Sequence, residues 1–173
     1  AQQPLQAAFA VKAWLALGAN LGDAQATIRQ ASAAVQNWPH TRLLKASSLY
    51  RTAPVDADGP DYINAVLEVQ TGLSPLELLH HCQLQEQAAG RQRPYRNAPR
   101  TLDMDLVLYA DQRVDLPELS VPHPRMWQRA FVLLPLAEIA PEKVSRQQLQ
   151  AVLEQRIERL AAAHADEPQD GRA

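Results

Sequence analysis

The chain has 173 residues, 46% of them hydrophobic, with 17 basic against 19 acidic residues and a net charge of −2. That length suits one domain with a full core, and the near-neutral balance argues against a nucleic-acid partner or a membrane-surface binder. A single cysteine, Cys82, leaves no intrachain disulfide, and no apolar run approaches the roughly 18 residues that span a bilayer, so a cytoplasmic protein is expected.

Residues 1–10 are rich in Gln and Ala and are expected to be a flexible N-terminus. They lack a basic region followed by an apolar core, so they do not read as a signal peptide. Residues 11–17 read as a strand, and Gly18-Ala-Asn-Leu-Gly22 as a turn. Asp23 is placed to cap a helix to about Asn37, with Ala24, Ile28, Ala31 and Val35 on one face. Residues 42–51 read as a second strand, 53–61 as a Pro/Gly/Asp loop and 62–71 as a third strand. Ser74-Pro75-Leu76-Glu77 opens a helix that ends near Gly90. Cys82 falls inside it among leucines, as a structural thiol.

An arginine-rich loop follows, then a strand over 101–109 with Leu102, Met104, Leu106 and Leu108 on the core face and a hairpin partner near Arg113-Val-Asp115. Residues 125–138 read as a helix that Pro135 should kink or break. Ser145 opens a last helix carrying Leu149, Val152, Leu153, Ile157 and Leu160 on one side. Residues 164–173 are expected to be a flexible tail, leaving 11–163 as one domain. The order β-α-β-β-α-β plus C-terminal helices predicts an α+β chain with a ferredoxin-like core, an antiparallel sheet with helices packed on one face.

The chemistry concentrates at residues 91–105. Arg91, Arg93, Arg96 and Arg100 lead into a strand that projects Asp103 and Asp105 from one face, roughly 6–7 Å apart at the backbone. Two hard carboxylates suit Mg²⁺, which takes one or two of them plus substrate phosphates, and arginines are permanent donors for a polyphosphate. The same residues also read as a solvated strand face neutralised by its arginines, or as an RNA-binding patch; few strand aromatics are present to stack bases. No Walker or dinucleotide-binding glycine loop and no CxxC or HExxH pattern occurs. A phosphate chain would therefore be held by side chains, and a zinc site is not expected. His123 sits between prolines, and Tyr62 and Asn64 share a strand face.

Several segments together resemble the 6-hydroxymethyl-7,8-dihydropterin pyrophosphokinase family of folate synthesis. They are Leu17-Gly-Ala-Asn-Leu-Gly22, Ser48-Leu-Tyr-Arg-Thr-Ala-Pro54, Pro60-Asp-Tyr-Ile-Asn64, Gly90-Arg-Gln-Arg93, Pro99-Arg-Thr-Leu-Asp-Met-Asp105, Val121-Pro-His123 and Arg129-Ala-Phe131, in the family's order. The resemblance implies a monomeric enzyme that moves the β,γ-pyrophosphoryl group of ATP to the pterin hydroxymethyl oxygen and releases AMP. It implies Arg91, Arg100, Asp103 and Asp105 as catalytic, with both aspartates holding two Mg²⁺ ions. It further implies ATP contacts from Gln83, Glu86 (through water or the ribose), Arg91, Arg93, Arg96, Arg100, Leu106, Ser120, His123 and Arg129. Pterin contacts fall on Thr52, Pro54, Val55, Tyr62, Asn64, Asp103 and Phe131, with Asn20 supporting the loops. The chain departs from the common pattern at Ala53, Asn97, Glu118 and Pro124 and in a shorter arginine loop.

Overall fold

The structure, a computed structural model, describes residues 10–54, 59–90 and 101–162. In chain order the elements are β1 (Val11–Ala19), α1 (Ala24–Val35), β2 (Thr41–Ala46), β3 (Ser48–Thr52), β4 (Tyr62–Thr71), α2 (Pro75–Ala89), β5 (Asp103–Tyr109), β6 (Val114–Leu116), β7 (Leu119–Val121), α3 (Ala130–Ile139), α4 (Arg146–Ala151) and β8 (Ile157–Ala162). The main sheet runs β5-β1-β4-β3-β8, β2 also pairs with β4, and every pairing is antiparallel. This is the expected ferredoxin-like arrangement, extended by β8. Among the described residues no helix is long and apolar enough to cross a membrane. The expected flexible ends and most of the arginine loop lie outside the described residues.

The period of two along β1 divides the interior. Ala13, Leu15, Leu17 and Ala19 join Ile28, Ala31 and Val35 of α1 and Leu78 and Cys82 of α2 in one core. Trp14 points the other way, into a second core with Val66, Val107, Leu133 and Leu136. Each fully buried Leu, Ile or Val adds roughly 1.5–3 kcal/mol. Helices therefore cover both faces of the sheet, where the sequence predicts one. Local chemistry sets where α1 and α2 start: Asp23 accepts the Ala26 N–H, and Ser74 and Glu77 form a reciprocal capping box. Burial, then the fields of Asp105 and Glu86, push the Cys82 thiol well above its ordinary range, which leaves it protonated and structural.

Four expectations are corrected. The strand predicted over 42–51 is divided at Ser47, whose N–H donates to the Val66 carbonyl while its Oγ accepts the Val66 N–H at 2.9 Å. In β5 the register with β1 steps from Leu15↔Leu106 to Trp14↔Leu108, a bulge that adds one residue. Leu108 thus joins Val107 on the Trp14 side, and Tyr109 takes the α1/α2 side, donating its hydroxyl to the Leu73 carbonyl at 2.7 Å. The partner of β6 is β7 rather than β5. The predicted last helix stops at Ala151, and Ile157–Ala162 forms β8 against the outer edge of β3. Pairing with that open edge outweighs the helical spacing: Ile157 and Leu160 pack on opposite faces of the sheet, and Leu153 is 76% exposed. Pro135, by contrast, sits inside α3 without ending it, held by the buried Leu133, Leu136 and Ile139.

Glu138 of α3 ties the sheet's outer edge together. Its carboxylate accepts the Ser48 N–H, the Ser48 hydroxyl, the Tyr50 hydroxyl at 2.7 Å and an Arg159 N–H at 3.2 Å. Glu138→Ala strands these donors and should cost roughly 2–4 kcal/mol in urea or thermal denaturation. A loss below about 0.5 kcal/mol would show that the network contributes no net stability.

Candidate active site

The site forms where the central strand runs out of side chain. On the sheet face opposite α1 and α2, β1 presents Trp14, Ala16 and Gly18 in turn. Trp14 fills its end of the face, with its indole N–H donated to the buried Glu68 at 3.1 Å. Ala16 and Gly18 leave the other end open. Antiparallel register sets the neighbours: Gly18 lies opposite Asn64 of β4 and Asp103 of β5, and Ala16 opposite Val66 and Asp105. On the next strand out, Tyr50 lies opposite Asn64, and Thr52 opposite Tyr62. The result is a cavity of ≈ 290 Å³ roofed at one side by Phe131 and Val132 of α3.

Gly18 is required by a close approach. A Cβ built there would stand 3.1 Å from Asn64 Oδ1, tighter than ordinary contact. Asn64 is 3% exposed and donates from Nδ2 to Thr52 Oγ1 at 2.9 Å, which turns its Oδ1 toward Gly18. Asn20 donates to the Pro60 carbonyl at 3.3 Å and links the first turn to the loop before β4, the supporting place expected for it. The Arg129 guanidinium lies 5.4 Å from the centre of the Phe131 ring, a cation on an aromatic face beside the opening.

Asp103 and Asp105 are half-buried and line the cavity together. Their cross-strand neighbours, Gly18 and Ala16, have nothing long enough to reach between them. Among the described residues no group of three or more His, Cys, Asp or Glu is placed to hold a metal ion. A pair of carboxylates with further oxygens from a bound phosphate is the donor set that Mg²⁺ takes, so these residues fit that ion.

His123 is fixed by its backbone N–H to the Val107 carbonyl at 3.0 Å, and its Nδ1 accepts the Arg125 N–H at 3.2 Å. Its pKa lies below the ordinary 6.5, because burial and the nearby Arg129 and Arg125 outweigh the opposing pull of Asp105. At neutral pH the ring is therefore uncharged and carries its proton on Nε2, a donor.

Thr52, Pro54, Tyr62, Asn64, Asp103, Asp105, His123, Arg129 and Phe131 all line the cavity. Gln83 is exposed on α2, Ser120 is exposed on β7, and neither lines it. The side chain of Leu106 lies in the core under α1 and α2, on the opposite sheet face, and does not line the cavity. The carboxylate of Glu86 accepts the Met104 N–H at 2.8 Å instead of facing the cavity. Val55, Arg91, Arg93, Arg96 and Arg100 lie outside the described residues. The lining also includes Ala16, Gly18, Val107 and Val132, which sequence reasoning passed over. The falling side-chain size at Trp14, Ala16 and Gly18 is the signal that marks the floor.

The lowered pKa makes a pH test. Between the folded pKa of His123 and 6.5 the unfolded chain binds more protons, so this residue's contribution to stability is complete above 6.5 and falls as the pH drops through that window. NMR titration of His123 should give a midpoint below 6.5, and His123→Asn should remove that part of the acid loss. A midpoint at or above 6.5 would contradict the burial argument.

Comparison with known proteins bears on the same residues. A family model described as 7,8-dihydro-6-hydroxymethylpterin-pyrophosphokinase (HPPK) matches residues 14–141. The chain is 45% identical over 132 residues to the 2-amino-4-hydroxy-6-hydroxymethyldihydropteridine pyrophosphokinase of Pseudomonas aeruginosa, covering 76% of this chain and 82% of that one. It is 42% identical over 131 residues to the protein of the same name from Bacillus subtilis, covering 75% and 78%. The fold superposes on wild-type Plasmodium falciparum HPPK-DHPS with a TM-score of 0.58 at 14% identity, covering 77% of this chain and 38% of that much longer one. That last likeness speaks for fold alone. The matched span begins at Trp14, two residues before the first lining residue Ala16, and runs past α3, taking in every described residue of the lining; this chain belongs to the HPPK family.

Proposed function

We propose that the chain transfers the β,γ-pyrophosphoryl group of ATP to the hydroxymethyl oxygen of 6-hydroxymethyl-7,8-dihydropterin, a step of folate synthesis. The oxygen attacks the β-phosphorus, the bond from that phosphorus to the α,β-bridging oxygen breaks, AMP departs, and the hydroxyl proton is lost to the surroundings. The observation that carries this reading is one sheet face with two distinct polar ends. Asp103 and Asp105 stand on one side of Gly18 and Ala16, and Asn64, Thr52 and Tyr62 stand on the other.

Asn64 and Thr52 supply fixed donors and acceptors for the amide-like edge of the pterin. Tyr62, Pro54 and Phe131 supply apolar surface for its flat ring, and Val55, next in sequence after Pro54, is assigned to the same ring. Neutral His123 offers Nε2–H, and Arg129 offers a guanidinium, to the phosphates. Asp103 and Asp105 are the residues to hold Mg²⁺, as two ions. When bound, Mg²⁺ supplies charge neutralisation on the phosphates and lowers the pKa of the attacking hydroxyl. Arg91 and Arg100, which precede β5 in sequence, are assigned to neutralise charge building on the transferred group, with Arg93 and Arg96 as further phosphate contacts. ATP and the pterin are the partners, and the chain acts as a cytoplasmic monomer.

The direct test is to supply Mg-ATP with and without the pterin and identify the nucleotide released. AMP formed only with pterin is the expected result; ADP would mean that another phosphorus is attacked. Asp103→Ala and Asp105→Ala should each lower turnover by at least roughly 10²-fold. Asn64→Ala should raise the pterin Kd roughly 10-fold while leaving ATP binding intact, the loss of about 1–3 kcal/mol from a buried hydrogen-bond partner. Gly18→Ala should act in the same direction, because its Cβ would displace the Asn64 amide. Unchanged pterin affinity in both variants would reassign that end of the cavity.

A further inference from the structure

The cavity accounts for what Asp103 and Asp105 face. It does not account for what holds the strand that carries them. β5 is an edge strand: β1 pairs with one side of it, and among the described residues no strand pairs with the other. In an antiparallel pair successive backbone groups point alternately toward and away from the partner strand. Asp103 and Asp105 lie opposite Gly18 and Ala16, and Met104 lies between them opposite Leu17. The Met104 N–H does not turn to β1. It donates to Glu86 Oε2 at 2.8 Å, across to the last turn of α2.

Glu86 is well placed for that contact. Its own carbonyl accepts the Gly90 N–H that closes α2. Three residues on, the Ala89 carbonyl accepts the Thr101 hydroxyl at 2.7 Å, a second stitch between the end of α2 and the approach to β5. The Met104 side chain is buried in the core beneath α1 and α2, so the strand is anchored there from its inward face as well. A carboxylate on a backbone N–H is a charge-assisted bond, stronger than one between neutral groups.

We propose that Glu86 is a positioning residue: through the Met104 amide it fixes the backbone between Asp103 and Asp105 and so sets the separation and direction of the two carboxylates that receive a divalent cation. This rests on the metal-dependent reading above and replaces direct ATP contact as the main role of Glu86. Outer partners of metal ligands act in this way, and their loss typically weakens metal affinity 10- to 100-fold.

The test compares Glu86→Ala with Glu86→Gln in the full chain; Gln keeps an acceptor oxygen and removes the charge. Two readouts avoid turnover: amide hydrogen exchange at Met104 without metal, and Mn²⁺ titration by electron paramagnetic resonance with α,β-methylene-ATP present. In Glu86→Ala, Met104 exchange should accelerate roughly 10-fold and the Mn²⁺ half-saturation concentration should rise roughly 10-fold, while Glu86→Gln stays within about threefold of wild type in both. Exchange at Leu106 to Leu108 should hardly move. Unchanged Met104 exchange in Glu86→Ala overturns the proposal. So does equal damage in the Gln variant, faster exchange throughout α2 and β5, or weaker binding of the analogue in metal-free buffer, which would make Glu86 a direct nucleotide contact. A wild-type chain that binds no Mn²⁺ beside the analogue would instead overturn the metal-dependent reading, and would do so whatever the exchange at Met104 shows.

Discussion

The antiparallel register that sets Gly18 between Asn64 and Asp103 is the constraint on which the site depends. A central strand normally fills both faces of its sheet. Here β1 does so on the α1/α2 side throughout, with Ala13, Leu15, Leu17 and Ala19 all buried, and only halfway on the other. Strand pairing is thus retained along the full length of β1 while side-chain volume is withdrawn at one end. The cavity is a consequence of backbone regularity, not of a gap in the fold. Polar groups from β4 and β5 can face it because the core on the far side of the sheet already supplies the apolar burial that orders these strands.

The second core does two jobs through one helix. The N-terminal part of α3 gives Phe131 and Val132 to the cavity, its middle buries Leu133 and Leu136 against Trp14 and Val66, and its C-terminal part offers Glu138 to β3 and β8. Tyr50 links these ends. It lies opposite Asn64 in the sheet and gives its hydroxyl to Glu138, and burial with that carboxylate pushes the phenol well above its ordinary range, so it remains a donor. The strands that carry Thr52 and Asn64 are therefore held from the side away from solvent. This is the kind of support a hydrogen-bonding site needs if its polar atoms are to keep their directions when empty.

What could be read from the sequence is what short-range chemistry decides. The caps at Asp23 and Ser74, the helix of which Ile28, Ala31 and Val35 form one face, and the shared face of Asp103 and Asp105 each follow from a few neighbouring residues. What escaped depends on partners far along the chain. The split at Ser47 exists because Val66 binds it twice, and the bulge at Val107 shows only in the register with Trp14. Residues 157–162 carry a spacing compatible with a helix and become a strand because β3 offers an edge. The floor residues Ala16 and Gly18 carry no chemistry of their own and gain meaning only once Asn64 and Asp103 flank them. Family resemblance brought in residues that the local pattern alone would have passed over, such as Thr52 and Arg129, but it also named Leu106, whose side chain lies in the core on the opposite sheet face.

The spacing of the sheet also sets what the two ends of the cavity can share. Asn64 and Asp103 are two strands apart with Gly18 between them, which is about 10 Å at an interstrand distance of 4.7–4.9 Å. A fused two-ring heterocycle read along one edge by Asn64 spans most of that distance, and a one-carbon alcohol on its far side reaches the rest. A longer arm would push the hydroxyl past the aspartates, and a larger residue than Gly at position 18 would lift the ring off the floor. If the pterin lies as proposed, the same strand spacing that keeps the sheet regular also measures the substrate. On the proposed reading it separates the surface that would recognise the ring from the carboxylates that would gather the phosphates, and leaves only the reacting oxygen to pass between them.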